Sequence, residues 1–188
     1  MSDAKLRALV LLAEGAEEME TVICVDILRR AGIDVVLAGL DGSEPVRCSR
    51  GVVLVPDAAL ADVATEAFDA VVLPGGAGGA DRLAASPTVG ELLRQREADG
   101  AWVAAVCAAP AVLATHRVFA GRSMTSHPAV ADVVARHGKR TDDPVVCDGA
   151  LITSQGPGTS VLFALQIVEV LCGAAKASEV RNPMQIPS

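Results

Sequence analysis

Cys107 is the residue of this sequence best placed for nucleophilic chemistry, because it directly follows the apolar run 102–106 and precedes a helical pattern. A cysteine where a buried strand turns into a helix is similar to the nucleophile elbow of hydrolases. Free N–H groups and the positive end of the helix would favour its thiolate form. The alternative is a buried cysteine that only packs as a small apolar side chain.

Two glycines, Gly75 and Gly76, end another apolar run and offer a second element of such a site. Glycine lets the backbone approach a ligand closely, so the Gly76 N–H could join the Ala108 N–H in an oxyanion hole. The alternative is a plain turn between a strand and a helix. The sequence has neither a GxGxxG pattern after its first strand nor a GxxxxGK[ST] loop, so we predict no nucleotide-phosphate loop.

Three carboxylates, Glu17, Glu18 and Glu20, begin one predicted helix, and the residues alone do not distinguish them. Acidic side chains in a first turn often only complement the helix dipole on a solvated face. A buried carboxyl, in contrast, has a raised pKa and can exchange a proton with a thiolate. His127 precedes another helix, where it could orient or protonate a substrate or have no role.

Apolar runs alternate with helical periods along the whole chain, which predicts one α/β domain over residues 1–188. The clearest strands are predicted at 6–12, 33–39, 69–73 and 102–106, with a short strand at 52–55 outside the main sheet. The clearest helices are predicted at 15–32, 87–99, 111–116 and 158–171. This alternation indicates a mostly parallel sheet with helices on both faces, whose sites form at the carboxyl ends of the strands.

Composition excludes several classes of protein. The 188 residues carry 16 basic and 23 acidic side chains, a net charge of -7, and only 2% are aromatic. Such a chain repels polyphosphate and lacks stacking platforms, so we expect no direct nucleic-acid binding. No apolar run reaches the roughly 20 residues of a membrane span, and none resembles a signal peptide. We therefore expect a cytoplasmic protein without a membrane partner.

The cysteines and histidines predict neither a disulfide framework nor a metal site. The five cysteines are odd in number, widely spaced and without a CxxC pair. The three histidines are scattered, with no HExxH spacing, and we expect His116 and His137 at the surface among charged neighbours. No cofactor and no metal are predicted.

Several blocks of the sequence together resemble one known family. The blocks lie at 9–22, 29–33, 46–50, 72–76, 104–110 and 154–160. They resemble, in order and over nearly the whole chain, the family of the Parkinson-disease-associated protein deglycase, in the superfamily of the PfpI intracellular protease. The sequence departs from the family at Ala77, where a larger polar residue is common, at Ala109, at Val55 and over 180–188.

The resemblance implies a flavodoxin-like three-layer sandwich with a mostly parallel central sheet, a homodimer, and an easily oxidised Cys107. It assigns Glu20 as the carboxyl partner of that sulfur and His127 as the site histidine. The other site residues that it implies are the oxyanion amides of Gly76 and Ala108 and the pocket residues Arg50, Gly156 and Pro157, the last two reaching the pocket across the dimer interface. Locations in the nucleus and mitochondrion, besides the cytoplasm, are also implied.

The activity implied by the resemblance is a cofactor-free, cysteine-dependent glyoxalase and protein deglycase of modest turnover. Its partners would be small 2-oxoaldehydes and glycated proteins, and its products 2-hydroxy acids, with a protective role in oxidative stress. A core built from small side chains predicts a small pocket that suits a short aldehyde. The alternative is a redox sensor or chaperone that acts through oxidation of Cys107 to a sulfinate. A cysteine peptidase is the weakest alternative, because the sequence shows no convincing histidine–carboxylate relay.

Overall fold

The computed structural model describes residues 5–186, and its extended segments assemble mainly into one central sheet. The strands, in chain order, are β1 (Arg7–Leu12), β2 (Asp34–Gly39), β3 (Val46–Arg47), β4 (Val53–Leu54), β5 (Ala58–Ala59), β6 (Ala70–Leu73), β7 (Trp102–Val106), β8 (Ser123–Met124), β9 (Lys139–Arg140), β10 (Val145–Asp148) and β11 (Leu151–Ser154). Among the described residues, β3 pairs with β4 and β8 with β9 in two small sheets apart from the central one.

The central sheet has the strand order β10-β11-β7-β6-β1-β2-β5 over the described residues. All its pairs are parallel except β10 with β11. The long parallel strands, numbered along the chain, therefore follow the spatial order 2-1-3-4-5, which is the flavodoxin-like topology. Chain order reverses between β1 and β6, and a crevice forms there at the carboxyl ends of the strands.

Helices cover both faces of the sheet, so the predicted three-layer α/β sandwich is confirmed. They are α1 (Glu18–Arg30), α2 (Leu60–Val63), α3 (Ala77–Ala85), α4 (Pro87–Ala98), α5 (Pro110–His116), α6 (Ala131–His137), α7 (Ser160–Cys172) and α8 (Ala174–Arg181). Helices α1, α7 and α8 contribute to the core cluster on one face, and α2 to α6 contribute to the cluster on the other. No helix within residues 5–186 is long and apolar enough to cross a membrane.

The two faces of the sheet are built by the alternation of side chains along buried strands. In β1, Val10 belongs to the cluster of α1 and α7, whereas its neighbours Leu9 and Leu11 belong to the opposite cluster. Successive side chains of a strand point to opposite faces, so a strand that is apolar throughout can bury both. Fully burying each leucine contributes about 1.5–3 kcal/mol, which fixes the sheet that carries the site.

Three features differ from the predictions. Helix α3 was not predicted, because its first turns contain Gly78 and Gly79. Helix α8 was also not predicted, and the helix expected at 158–171 begins with a 3-10 turn before Ser160. The prediction that His116 and His137 lie at the surface is wrong: both are half-buried, with Nε2 at hydrogen-bond distance from the carbonyls of Leu83 and Val118 respectively.

Candidate active site

Cys107 lies in a strained turn directly after β7. Its φ is 63°, in the left-handed region that a non-glycine residue adopts at a cost of about 1–3 kcal/mol. The Cys107 N–H donates to the Ser154 carbonyl at 2.9 Å, and the Cys107 carbonyl accepts from the His127 N–H, also at 2.9 Å. Cys107 is only 9% exposed. Because these two hydrogen bonds hold the turn from both sides, they fix the sulfur at the carboxyl edge of the sheet.

Glu20, in the first turn of α1, is fully buried beside Cys107. Its Oε2 accepts a hydrogen bond from the Gly75 N–H at 2.7 Å. Its Oε1 is buried and finds no nitrogen or oxygen partner among residues 5–186. Burial raises the pKa of Glu20 to about 7, and the hydrogen bonds with Cys107 and Gly75 oppose that rise. This carboxyl is therefore poised to take up or release a proton near neutral pH.

The thiol of Cys107 and the carboxyl of Glu20 titrate as a coupled pair. Burial and the charge of Glu20 raise the pKa of Cys107 to about 12, while the N–H groups of Gly76 and Ala108 at the sulfur lower it. The expectation that a helix end shifts Cys107 to its thiolate is therefore wrong while Glu20 is ionised. Protonation of Glu20 removes its repulsion and so lowers the pKa of Cys107, although the effect of burial, the largest cause of the rise, remains.

Gly75 and Gly76 leave room for this pair. A Cβ atom on Gly75 would lie 2.6 Å from the Cys107 Cβ and 2.7 Å from Glu20 Oε2, closer than real Cβ contacts allow. Gly76 has a φ of 83°, and a Cβ there would lie 2.6 Å from the Glu17 nitrogen and even closer to the Gly15 carbonyl. Only glycine fits at either position, because the protein's own atoms approach so closely there. The predicted approach of this backbone to a ligand stays a prediction.

The three carboxylates that the sequence could not distinguish have three different environments. Glu17 caps α1, its carboxylate accepting from the Glu20 N–H at 2.8 Å. Glu18 is buried and accepts from the Ser49 hydroxyl and the Arg50 N–H, both at 2.8 Å. Burial alone would raise the pKa of Glu18, but these hydrogen bonds hold it below its ordinary value. Glu18 thus ties α1 to the turn between β3 and β4, a role without any sequence signal.

We expect the Glu18→Gln substitution to raise KM about tenfold for the reaction proposed below, with a smaller change in kcat. An amide cannot accept with both of its atoms, so the turn that carries Ser49 and Arg50 to the cleft loses a charge-assisted hydrogen bond. Steady-state kinetics would separate the two parameters. Glu14→Gln, a change of an exposed carboxylate in the loop before α1, is the matched control. Equal kinetics for both variants would contradict the role given to Glu18.

His127 and Pro157 lie with Cys107 on the wall of one cleft, which Arg50 also lines. The His127 Nδ1 accepts from the Ala129 N–H at 3.1 Å, so the neutral ring carries its proton on Nε2. Gly156 lies beside the His127 ring: a Cβ atom placed on this glycine would be 3.8 Å from the Cδ2 atom of His127. Pro157 thus lines this cleft from the same chain as Cys107, and Gly156 adjoins the His127 ring. A contribution of these two residues to the pocket of a second subunit stays a prediction.

The cleft has a volume of about 840 Å³ and is lined mainly by small apolar side chains. The sequence predicted a small pocket, on the argument that a core of small residues leaves little room. The structure shows the opposite effect, since alanines and glycines along α3 and α5 leave space where larger side chains would fill it. The wall residues that were not predicted include Met19, Ala80, Asp81, Ala84, Ala111, Val112, Thr115, Ala129 and Val130.

The remaining cysteines are separate from this cleft. All five cysteines are free within the described residues. Cys24 and Cys48 are buried, which raises their pKa, whereas Cys147 is exposed and Cys172 half-buried. Over residues 5–186, no group of three or more histidine, cysteine or acidic side chains is arranged to hold a metal ion.

The sequence and the fold of this chain both have counterparts among known proteins. The sequence profile of the DJ-1/PfpI family matches residues 6–170 of the chain. This protein belongs to the DJ-1/PfpI family. The "Protein dj-1beta" of Drosophila melanogaster is 54% identical over 180 residues, 95% of this chain and 96% of its own. The crystal structure of Drosophila melanogaster DJ-1beta superposes with a TM-score of 0.96 at 50% identity, covering 98% of this chain and 100% of the other.

Two further DJ-1 proteins bear on chemistry. A Caenorhabditis elegans protein that is 43% identical over 183 residues, 96% of this chain and 97% of its own, is named "Glutathione-independent glyoxalase DJR-1.2". Glyoxalase activity is therefore present within the family. The solved structure "Toxoplasma gondii DJ-1, oxidized" is 34% identical, with a TM-score of 0.92, and covers 97% of this chain and 100% of its own. The resemblance inferred from the sequence blocks is thus confirmed.

Proposed function

We propose that this DJ-1/PfpI protein is a cofactor-free glyoxalase that converts methylglyoxal and related 2-oxoaldehydes to 2-hydroxy acids. The observation that carries the proposal is the buried pair: Glu20, with a pKa raised to about 7, beside the Cys107 sulfur and its two N–H donors. Conversion of a 2-oxoaldehyde to a 2-hydroxy acid requires a nucleophile and a neighbouring acid or base that titrates near neutral pH, and this pair provides both.

The first step is the addition of the Cys107 thiolate to the aldehyde carbon. The S–C bond forms, the C=O π bond breaks, and negative charge develops on the aldehyde oxygen. The N–H groups of Gly76 and Ala108, which already lie at the sulfur, are placed to stabilise that oxygen. Protonated Glu20 gives its proton to this oxygen, which yields the hemithioacetal and leaves Glu20 ionised.

The second step moves a proton between adjacent carbons. Ionised Glu20 removes the C–H proton of the hemithioacetal carbon, and the electron pair passes through an enediol to the ketone carbon, which takes the proton back. His127, with its proton on Nε2, lines the same cleft and would donate that proton to the ketone oxygen, then recover one from the hemithioacetal hydroxyl. The product is a thioester of the 2-hydroxy acid.

Hydrolysis completes the cycle. Water adds to the thioester carbonyl, the C–S bond breaks, and the thiol regains its proton. Overall one water is consumed; the aldehyde carbon is oxidised and the ketone carbon reduced within the same molecule. The reaction therefore balances without an external oxidant or reductant. An early glycation adduct on a protein contains the same two carbons, so the open cleft supports protein deglycase activity as a finer part of this proposal.

The experiment that tests the proposal is an assay of purified protein with methylglyoxal alone. We expect lactate enriched in one enantiomer, since a proton returned within a chiral cleft reaches one face of the carbon. Chiral chromatography of the product measures this against the uncatalysed reaction. Racemic lactate at the background rate would exclude the proposed function.

Redox sensing, with a linked chaperone role, is the second candidate, and the N–H donors at the sulfur favour it. Two molecules of hydrogen peroxide convert the thiolate to a sulfinate and release two waters. Gly76, Ala108 and protonated Glu20 would hold the sulfinate oxygens. The structure of the oxidised Toxoplasma gondii relative supports this candidate. The redox role would replace the glyoxalase proposal if oxidation of Cys107 changed partner binding while turnover of methylglyoxal stayed at the background rate.

A peptidase gains no support, because the group that hydrogen-bonds to His127 Nδ1 is a backbone amide rather than a carboxylate.

A homodimer is also part of the proposal. Large apolar side chains on α1 and the β3–β4 segment are exposed, among them Met19 (53%), Val22 (47%) and Val53 (54%). Contiguous exposed apolar side chains are typical of subunit interfaces. Light scattering of the purified protein would measure the mass in solution.

We also propose a cytoplasmic location, with the nucleus and mitochondrion as further locations. Imaging of the tagged protein would test this.

A further inference from the structure

The cleft at Cys107 is much larger than methylglyoxal requires. Methylglyoxal has five non-hydrogen atoms and needs on the order of 150 Å³, if each atom takes roughly the 30 Å³ of a water molecule in the liquid. The cleft holds about 840 Å³. That is a volume typical of sites for drug-sized ligands, at about 300–1,000 Å³. The greater part of the cleft therefore lies beyond the reacting carbons.

Part of the cleft wall comes from α3 and α5, both of which begin next to the reacting sulfur. Gly76, whose N–H lies at the sulfur, is the N-cap of α3. Along α3, Ala77, Ala80 and Ala84 follow at helical spacing on one face and line the cleft. From Ala77 to Ala84 the helix rises by about 10 Å, at 1.5 Å per residue. We call this part of the cleft the α3–α5 groove.

The other wall of the groove comes from α5. Ala111 and Thr115, one turn apart, line the cleft together with Val112, which is fully buried beneath them. The Thr115 hydroxyl already donates to the Ala111 carbonyl at 3.1 Å. The groove therefore presents methyl groups over most of its length, and its one carboxylate, Asp81, is exposed to solvent.

The methyl groups along this groove favour an apolar occupant. A peptide would bury N–H and C=O groups against alanine methyls, and each unpaired polar group costs about 1–3 kcal/mol. A hydrocarbon chain loses nothing there and gains about 0.8 kcal/mol for each buried CH₂. A length of about 10 Å corresponds to about eight bonds of an extended chain, at roughly 1.2 Å for each bond, and about two of these belong to the dicarbonyl head beside the sulfur.

We propose that the α3–α5 groove is a subsite for the hydrocarbon tail of the substrate, and that the preferred 2-oxoaldehydes carry an unbranched alkyl chain of about six carbons. This inference rests on the proposed function, because it places the dicarbonyl head at Cys107 and Glu20. Methylglyoxal leaves the groove empty, whereas the longer substrates fill it.

The first test is a chain-length series of 2-oxoaldehydes from methylglyoxal to 2-oxooctanal. We expect kcat/KM to rise about two- to fourfold per methylene, up to the length of the groove. Thr115→Phe and Ala84→Phe, one from each wall, block the groove and lower the ratio of kcat/KM for 2-oxooctanal over methylglyoxal at least tenfold. Ala98→Phe, an exposed alanine on α4 away from the cleft, is the matched control and keeps the ratio. Circular dichroism of each variant checks folding.

A second test needs no turnover. N-ethylmaleimide and N-hexylmaleimide alkylate cysteines with the same chemistry, and peptide mass spectrometry measures the rate at each position. We expect Cys107 to react at least fivefold faster with the hexyl reagent, and exposed Cys147 to show no such preference. Thr115→Phe should remove the preference at Cys107.

The outcomes separate the two proposals. Turnover of methylglyoxal without any gain from longer chains, and equal alkylation by the two reagents, would overturn the subsite while the glyoxalase stands. Preferential labelling by the hexyl reagent with no turnover of any 2-oxoaldehyde would support the subsite and exclude the glyoxalase. A gain with chain length that survives both phenylalanine variants would also overturn the subsite.

Discussion

The Cys107→Ser variant is expected to lose essentially all conversion of methylglyoxal to lactate, with kcat/KM at least about 10³-fold lower. Serine has nearly the same shape but is a far weaker nucleophile at neutral pH, and Glu20 cannot activate it, since a serine hydroxyl does not ionise there. The hemithioacetal and the thioester both require the sulfur, so no later step can compensate. Steady-state kinetics with chiral detection of lactate measures the loss.

The control for this loss is Cys147→Ser, which makes the same atomic change at an exposed position on β10. We expect it to retain wild-type kinetics. The strained turn at position 107 is held by backbone hydrogen bonds that serine also makes, so the thermal midpoint of Cys107→Ser should stay close to that of the wild type. Substantial lactate formation by Cys107→Ser would refute covalent catalysis.

The Glu20→Gln variant is expected to lower kcat about 10²- to 10⁴-fold, the usual contribution of one positioned acid or base. Glutamine has the same size and can still accept the hydrogen bond from the Gly75 N–H through its amide oxygen. It cannot take up the C–H proton of the hemithioacetal. Glu91→Gln, on the exposed face of α4, is the matched control. A kcat that is nearly unchanged in Glu20→Gln would assign the proton transfer to another group.

The same variant also tests the raised pKa of Glu20 through stability. Because the pKa rises from 4.5 in the unfolded chain to about 7 in the folded protein, folding favours the protonated form. This contribution is fully present below about pH 4.5 and is lost as the pH rises through 7. The difference amounts to about 3 kcal/mol, at 1.36 kcal/mol for each pKa unit.

We therefore expect the free energy of unfolding of the wild type to fall relative to Glu20→Gln between pH 4 and pH 8. Urea unfolding of both proteins across this range measures the difference, and glutamine, which does not titrate, removes the contribution. The relative loss should approach about 3 kcal/mol at the upper end. Parallel stability curves for the two proteins would show that Glu20 keeps an ordinary pKa when folded.

Helix α3 could not be predicted from the local sequence. Gly78 and Gly79 lower local helix propensity by about 1 kcal/mol each, so the local pattern predicts no helix there. In the fold, a Cβ on Gly79 would lie 2.7 Å from the Ala16 Cα, and Gly78 lies against Gly15. The glycines are there for the close contact of two backbones at the site. Tertiary packing overrides the local preference, and no local pattern reports it.

The sequence by itself determined the alternation of strands and helices, the aliphatic core and the position of Cys107 at the end of a buried strand. These properties depend on the periodicity of residues that are close together in the sequence, so they can be read without knowledge of the fold. The residue pattern left Glu17, Glu18 and Glu20 equivalent, and the family resemblance named Glu20 without a physical reason; the tertiary structure supplies that reason. The parallel sheet brings the first turn of α1 against Gly75, 55 positions away, and seals the carboxyl from water. Burial sets a pKa, and burial is a property of the whole fold.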